Sequence, residues 1–290
     1  MLLGLYDVSR KHSLQANAVL PVLFVSTAFC SLLLGLDVGL SRLIPQVMMR
    51  CGLYVTPIGW TAHLFIFIKA VTVAALWVLS YFAIKHLPIS VFSGIVASSP
   101  VWTLAGAILL FHESPTPIQW AGLVVIILSY YAFSIAGGRE GIVFHRNKWV
   151  ILAFLATVLG SCSGLYDKFL IQSLGYTPLA VQAWCMLYLV PVLGMVVLVF
   201  WLPGRSQYTP FIWRWTIPLV GVLLAVSDFA YFRALGYKDA LIILLSPLRC
   251  SYVVISFFAG AVIFREVNIR SKVIALAGIL AGVFLILLYA

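Results

Sequence analysis

The chain has 290 residues, of which 63% are hydrophobic and 9% charged, and its mean hydropathy is +1.12. A water-soluble domain carries roughly 25% charged residues, so this composition excludes a free-standing soluble globule and makes lipid the solvent. The formal net charge of +10 does not signal a nucleic-acid partner, because the longest basic cluster is Arg10-Lys11-His12 and positive flanks of membrane helices account for the excess.

In chain order, a short first segment around Gly4–Leu14 precedes a series of mostly apolar runs. These are Ala18–Leu36, Leu64–Ile84, Ile89–Phe111, Trp120–Ala136, Val150–Gly164, Leu179–Leu202, Ile217–Tyr231, Ala240–Phe264 and Val273–Tyr289. Several approach the ~20 residues that cross the hydrocarbon as a helix. Backbone groups in lipid must be paired internally, which favours helices. A barrel would alternate apolar and polar residues in each strand, and these runs do not. Cys30, Cys51, Cys162, Cys185 and Cys250 are scattered without a CxxC pair, so they read as small packing residues rather than a metal or disulfide framework. No metal or other cofactor is expected.

The chain repeats itself. Gly4-Leu5-Tyr6-Asp7 returns as Gly164-Leu165-Tyr166-Asp167, and Ser13-Leu14 returns at the same spacing as Ser173-Leu174. Tyr81-Phe82 opens a stretch that runs to Phe111-His112-Glu113; Tyr231-Phe232 opens one that runs to Phe264-Arg265-Glu266. Within them, Ser93–Ser98 aligns with Ser246–Ser251, and one more helix closes each half. The expected fold is an all-α membrane protein, a ten-helix bundle of two five-helix repeats over 1–138 and 149–290 joined by 139–148. Five is odd, so the second copy starts on the opposite face and the repeats are inverted; such pairs place a binding site near the midplane. The first helix is shorter than its counterpart by about 12–15 residues, against the ~20 a span needs, and the natural protein is expected to begin further upstream. A signal peptide is not indicated, because the apolar part before Asp7 is too short.

The doubled five-helix plan, the aromatic-led third helices and the glutamates Glu113 and Glu266, the first followed by Gln119-Trp120-Ala121-Gly122, resemble the EamA domains of the drug/metabolite transporter superfamily. That resemblance covers nearly the whole chain and implies a ten-helix permease or exporter of small metabolites. Two features depart from it: Pro100 has Val253 as its counterpart, and the first helix is incomplete.

Ionisable side chains inside a span are expensive and are site candidates by default. Arg249 lies about ten residues into its run, at 1.5 Å of rise each, after Ser246-Pro247, where a proline loosens the helix. Its counterpart is Val96, so the charge is an asymmetry on a symmetric frame. A guanidinium suits a carboxylate or phosphate; the alternative is a structural ion pair with a buried Asp. Lys69 reads either as a substrate contact or as a shallow side chain whose stem snorkels to the headgroups. Asp228 is a candidate for proton coupling, for pairing with Arg249, or for a solvated helix end. Asp7 precedes Arg10 and Lys11 at helical ion-pair spacing, whereas Asp167 has only Lys168 beside it. Tyr6 and Tyr166, with their acids, either face a central cavity or pack helices together. Most aromatics read as interfacial belts, while Trp77, Trp102 and Trp184, inside spans, are placed to stack on a substrate. Glu113 and Glu266 suit turns. Gly278 and Gly282 form a GxxxG that permits close helix contact, more often within a bundle than at a dimer seam. The histidines are isolated, and no HExxH, Walker loop or nucleophile elbow is present, so an enzyme is not expected.

Connections after odd-numbered helices carry Arg10, Lys11, Lys85, Arg139, Arg146, Lys148, Arg205, Arg214, Arg265, Arg270 and Lys272; those after even-numbered helices carry Arg42, Arg50, Arg233 and Lys238. The positive-inside rule therefore places the odd connections in the cytoplasm and the C-terminus outside, while the resemblance implies both termini inside. The expected function is multi-pass transport of a small polar metabolite across the cell membrane by alternating access, with ion or proton coupling as a further expectation. The alternatives are a lipid-linked substrate flippase of the same fold and a non-transporting scaffold or sensor. The expected partners are a small-molecule substrate and the bilayer; a homodimer is compatible with the sequence, but nothing in it asks for one.

Overall fold

The computed structural model describes residues 2–112, 116–138, 146–205, 209–237, 242, 245, 249, 252–263 and 269–288. Glu113, Glu266, Ser246-Pro247, Cys250, His145 and the loop cations Arg139, Lys238 and Arg265 lie outside the described residues.

The described chain is helical throughout its long elements: α1 Leu2–Leu14, α2 Val19–Leu43, α3 Pro45–Cys51, α4 Trp60–His86, α5 Ile89–Val96, α6 Ser99–Phe111, α7 Pro117–Gly138, α8 Lys148–Lys168, α9 Pro178–Val196, α10 Thr216–Leu235, α11 Val253–Val262 and α12 Ile269–Leu288. Local chemistry sets many of the boundaries. Prolines open α3, α7 and α9 and sit in the first turn of α6, where a missing N–H costs nothing. Thr116 and Gln119 cap α7 reciprocally: the Gln119 Oε1 accepts from the Thr116 N–H at 2.8 Å and the Thr116 Oγ1 accepts from the Gln119 N–H at 3.3 Å, a capping box. The Asn147 side chain accepts from the Trp149 N–H to start α8. Two helices widen into single π turns, α8 at Phe169–Ser173 and α9, which carries Pro191, at Val197–Trp201.

Among the described residues, six helices are long and apolar enough to cross a membrane: Val19–Leu43, Trp60–His86, Ile89–Phe111, Lys148–Ser173, Pro178–Trp201 and Thr216–Leu235; Pro117–Ser129 and Val273–Gly282 are shorter apolar stretches. The polarity of the bundle is that of a membrane protein. Leu109, Leu128, Met195 and Phe200 are more than 60% exposed, while Asp7, Arg10, Lys69, Asp167 and Asp228 are no more than 5% exposed. In water that arrangement would be strongly unfavourable, because it inverts the usual burial of charge and apolar surface; in lipid it is the stable one. The molecule is an all-α, multi-pass integral membrane protein.

The expected single run Ile89–Phe111 is interrupted. It breaks at Ala97-Ser98 into α5 and α6, because Pro100 has no N–H to continue the ladder. The runs over Ala18–Leu36 and Val150–Gly164 are longer than hydropathy suggests; their polar C-terminal turns remain helical.

Helix contacts come in matched sets. α1 packs on α10 and α8 packs on α4; α2 packs on α10 and α9 on α4; α6 packs on α8 and α11 on α1; α2 meets α9, and α7 meets α12. The ends are also placed. Lys11 Nζ, at the end of α1, donates to the carbonyls of Ile84 at 2.6 Å and Leu87 at 2.6 Å, at the end of α4. His86 stacks on Trp149, at the start of α8, with ring centroids 3.6 Å apart. Ser13 and Thr216, at the start of α10, share a 2.6 Å hydrogen bond. One end of the bundle therefore gathers the last turns of α1 and α4 and the first turns of α8 and α10. In the α7–α12 seam, a Cβ on Gly282 would lie 2.6 Å from the Gly122 carbonyl oxygen, and one on Gly278 would collide with Ser129. The GxxxG thus lets two helices of the same chain touch.

Candidate functional site

A cavity of about 240 Å³ lies at mid-height, reached by Val73 of α4 and Gly160 of α8, each near the centre of its helix. Seven helices contribute to its wall, α1, α4, α5, α6, α8, α9 and α10, together with Ile242, Arg249 and Tyr252. Seven of the residues singled out from sequence line it: Tyr6, Asp7, Lys69, Trp77, Asp167, Asp228 and Arg249. Val96, the counterpart of Arg249, lines it as well.

The charged side chains form three ion pairs. Arg10 Nη2 lies 2.8 Å from Asp7 Oδ1, Arg249 Nη2 lies 2.7 Å from Asp228 Oδ1, and Lys69 Nζ pairs with Asp167 Oδ1. Pairing is the condition for carrying ionised groups in a low-dielectric interior, since an unpaired charge costs several kcal/mol after relaxation.

The three pairs differ in enclosure. Arg10 sits among the rings of Tyr6, Tyr81 and Phe92, at 5.1, 5.0 and 5.1 Å from their centroids, and its Nη1 donates to Ser80 Oγ at 3.1 Å. Ser256 of α11 donates to the other oxygen of Asp7 at 3.3 Å. Lys69 and Asp167 are equally enclosed, with side-chain exposures of 4% and 6%. The Arg249 side chain, by contrast, is 36% exposed while Asp228 is 8% exposed. Its guanidinium lies 4.3 Å from the centroid of Tyr231, a cation–π contact. Tyr81 and Tyr231 are the repeated aromatic pair of the sequence, and each supports one arginine.

Gln182 on α9 is fully buried and lines the cavity. Its amide nitrogen donates to the Ala225 carbonyl on α10 at 3.1 Å. A carbonyl can only accept, so this bond fixes the orientation of the amide, and Oε1 has no partner among the described residues. Ser161 Oγ lies 3.1 Å from both the Ser99 and the Thr157 carbonyl and donates its one proton to either, which completes a polar strip on α8.

Several expectations change here. Lys69 does not snorkel: it is buried and its ammonium faces inward to Asp167. The α4 helix begins at Trp60, four residues before the apolar run that set its apparent depth, so Lys69 lies about 6 Å deeper than that run implies. Asp167 is paired across helices rather than with Lys168, whose ammonium lies over the Phe111 ring at 4.8 Å. Trp102 does not line the cavity; it packs edge-on against Phe154 with centroids 5.3 Å apart. Nor does Tyr166, whose hydroxyl donates to the Phe65 carbonyl at 3.2 Å. Arg10 and Gln182 are wall residues that sequence reasoning missed. Arg10 was hidden by an apparently sufficient local partner, and an amide inside an apolar run was the only signal for Gln182.

Residues 1–135 match the family model of the EamA-like transporter family, which belongs to the drug/metabolite transporter superfamily. No curated protein matches the chain. A protein known from its crystal structure superposes on 100% of this chain and 96% of its own, with a TM-score of 0.63 and 18% identity; that likeness shows a shared fold.

Proposed function

We propose that this chain, whose N-terminal half matches a family of membrane transporters, carries a small polar solute with an anionic group through the central cavity by alternating access. The observation that carries the reading is the unequal enclosure of the three ion pairs. Two are sealed, and in the third the Arg249 side chain, 36% exposed, keeps open surface at the cavity wall. A guanidinium with free donors binds a carboxylate or phosphate with charge-assisted hydrogen bonds. The unpartnered Gln182 Oε1 adds an acceptor on the same wall, so the preferred solute carries a hydrogen-bond donor besides its anionic group.

Two inverted five-helix repeats, 1–138 and 149–290 about the 139–148 connection, supply the motion. The matched helix contacts support this, because swapping the halves turns α1–α10, α2–α10 and α1–α11 into α8–α4, α9–α4 and α8–α6 and leaves α2–α9 and α7–α12 unchanged. So does the meeting of the α1 C-terminus with the α8 N-terminus at one end of the bundle, since corresponding helices then run in opposite directions. A midplane site between such halves is exposed to each side in turn by rocking. Substrate and Asp228 compete for one guanidinium. Displaced, the Asp228 carboxylate would be an uncompensated charge in a dry site, a cost that one bound proton removes; solute and proton movement are coupled on this reading.

The test is a thermal-stabilisation screen of the purified chain against small carboxylates and phosphates, followed by proteoliposome uptake of each hit. A ligand that binds only the folded state raises apparent stability. Hits that stabilise the native chain and lose their effect in Arg249→Gln support the reading. Hits that stabilise both proteins equally would remove Arg249 from the site, and the absence of any stabilising anion would remove the anionic solute.

A further inference from the structure

A second void lies on the other face of α4, and no residue lines both. It measures about 720 Å³ and is walled by Val71, Ala74, Val78 and Phe82 of α4 and by Val192 and Val196 of α9, with Ala18 and the first residues of α2, Val19 and Leu20, across it. From Val71 to Lys85 on α4 it extends about 21 Å at 1.5 Å per residue, deeper than one leaflet of a ~30 Å hydrocarbon core. Its inner part is apolar and open to the side, as the exposure of Val71 (46%) and Phe200 (66%) shows. No water-soluble solute would choose such walls.

The outer end is different. Lys85 lines it, and its ammonium donates to the Asn17 carbonyl at 2.8 Å and to Thr209 Oγ1 at 3.4 Å, which leaves it capacity for a further acceptor. Thr209 and Trp201 also line this end, and the Trp201 indole N–H is buried without an acceptor among the described residues. This is the bundle end where Lys11 clamps the α4 carbonyls, where Arg214 donates to the His12 carbonyl at 2.6 Å and where Lys148 begins α8. The cluster is positive, and the positive-inside rule places it at the leaflet rich in anionic lipids.

The geometry points to a built site for one anionic phospholipid, with an acyl chain in the α4–α9 fissure and the phosphate at Lys85, Thr209 and Trp201. An acyl chain fills a dry, sideways-open slot without leaving polar groups unpaired, and the headgroup supplies the acceptors that Lys85 and Trp201 lack. The site is separate from the central cavity, so it does not depend on the transport reading.

Native mass spectrometry of the full chain, with phosphatidylglycerol or phosphatidylcholine added, tests this directly. Phosphatidylglycerol should be retained preferentially. Lys85→Gln should weaken its retention about fivefold, the effect of one lysine at a membrane surface, and Lys85→Arg should restore it. Ala75→Phe, which narrows the slot without touching a charge, should lower retention of both lipids. Equal retention of the two lipids by the native chain would overturn the proposal, as would unchanged phosphatidylglycerol retention in both Lys85→Gln and Ala75→Phe. If Lys85→Gln does not fold, the Ala75→Phe result alone decides.

Discussion

Two arginines face the same cavity under related tyrosines, and they are held in opposite ways. Arg10 is closed in by three rings, Asp7 and Ser80, while Arg249 has one ring, one carboxylate and open surface. The first guanidinium is enclosed, with Nη1 and Nη2 held by Ser80 and Asp7 and only Nε without a partner among the described residues, and it stabilises helix packing. The second keeps capacity for something that arrives. Position in a cavity wall is therefore a weaker indicator of binding than what remains exposed there.

The largest effect should come from breaking the sealed pair. Asp7→Ala leaves a buried guanidinium uncompensated and should cost about 3–5 kcal/mol of stability, measured by denaturant unfolding in detergent; a loss below about 1 kcal/mol would show that Arg10 reaches water and that the contrast is false. Next, Arg249→Gln should lower anionic ligand affinity about 100-fold, the worth of a charged hydrogen-bonded contact, as titration calorimetry with a screened ligand reads; its stability loss should stay below that of Asp7→Ala, because the unpaired Asp228 carboxyl can take up a proton where the Arg10 guanidinium cannot lose one. A smaller pair of changes sharpens the contrast. Tyr81→Leu should lower stability by about 1–2 kcal/mol, and Tyr231→Leu should lower ligand affinity by up to about tenfold, since each removes one cation–π support. Equal stability losses in both would erase the distinction. Smallest of all, Trp102→Phe should change affinity by less than about 0.5 kcal/mol, because its ring packs on Phe154 outside the cavity.

Much of the scaffold is legible in the residues. Apolar runs give the six membrane-crossing helices found among the described residues, and the repeated Gly-Leu-Tyr-Asp and Tyr-Phe pairs fall on helices that pack in matched sets. The Asp7–Arg10 pair follows from helical spacing alone. The Lys69–Asp167 pair does not, because its partners come from helices far apart in sequence that meet only after folding. Lys69 looks shallow only if the helix starts where hydropathy rises; Trp60 starts it a turn earlier, since an interfacial tryptophan is comfortable in the first turn of a span. Arg249 and Asp228 are both visible as costly charges, and their pairing was one of two open readings. The exposure that distinguishes Arg249 from Arg10 is a property of packing, and no local pattern encodes it.

The matched helix contacts carry one more consequence. On the proposed rocking motion, exchanging the roles of the halves converts one end-state into the other, so backbone packing alone leaves the two wells nearly level. Any tilt between them must come from positions where the copies differ, such as Arg249 opposite Val96 and Pro100 opposite Val253. A frame of this kind has no built-in pump direction. Net flow would follow whichever gradient, of cargo or of its co-travelling ion, is steeper.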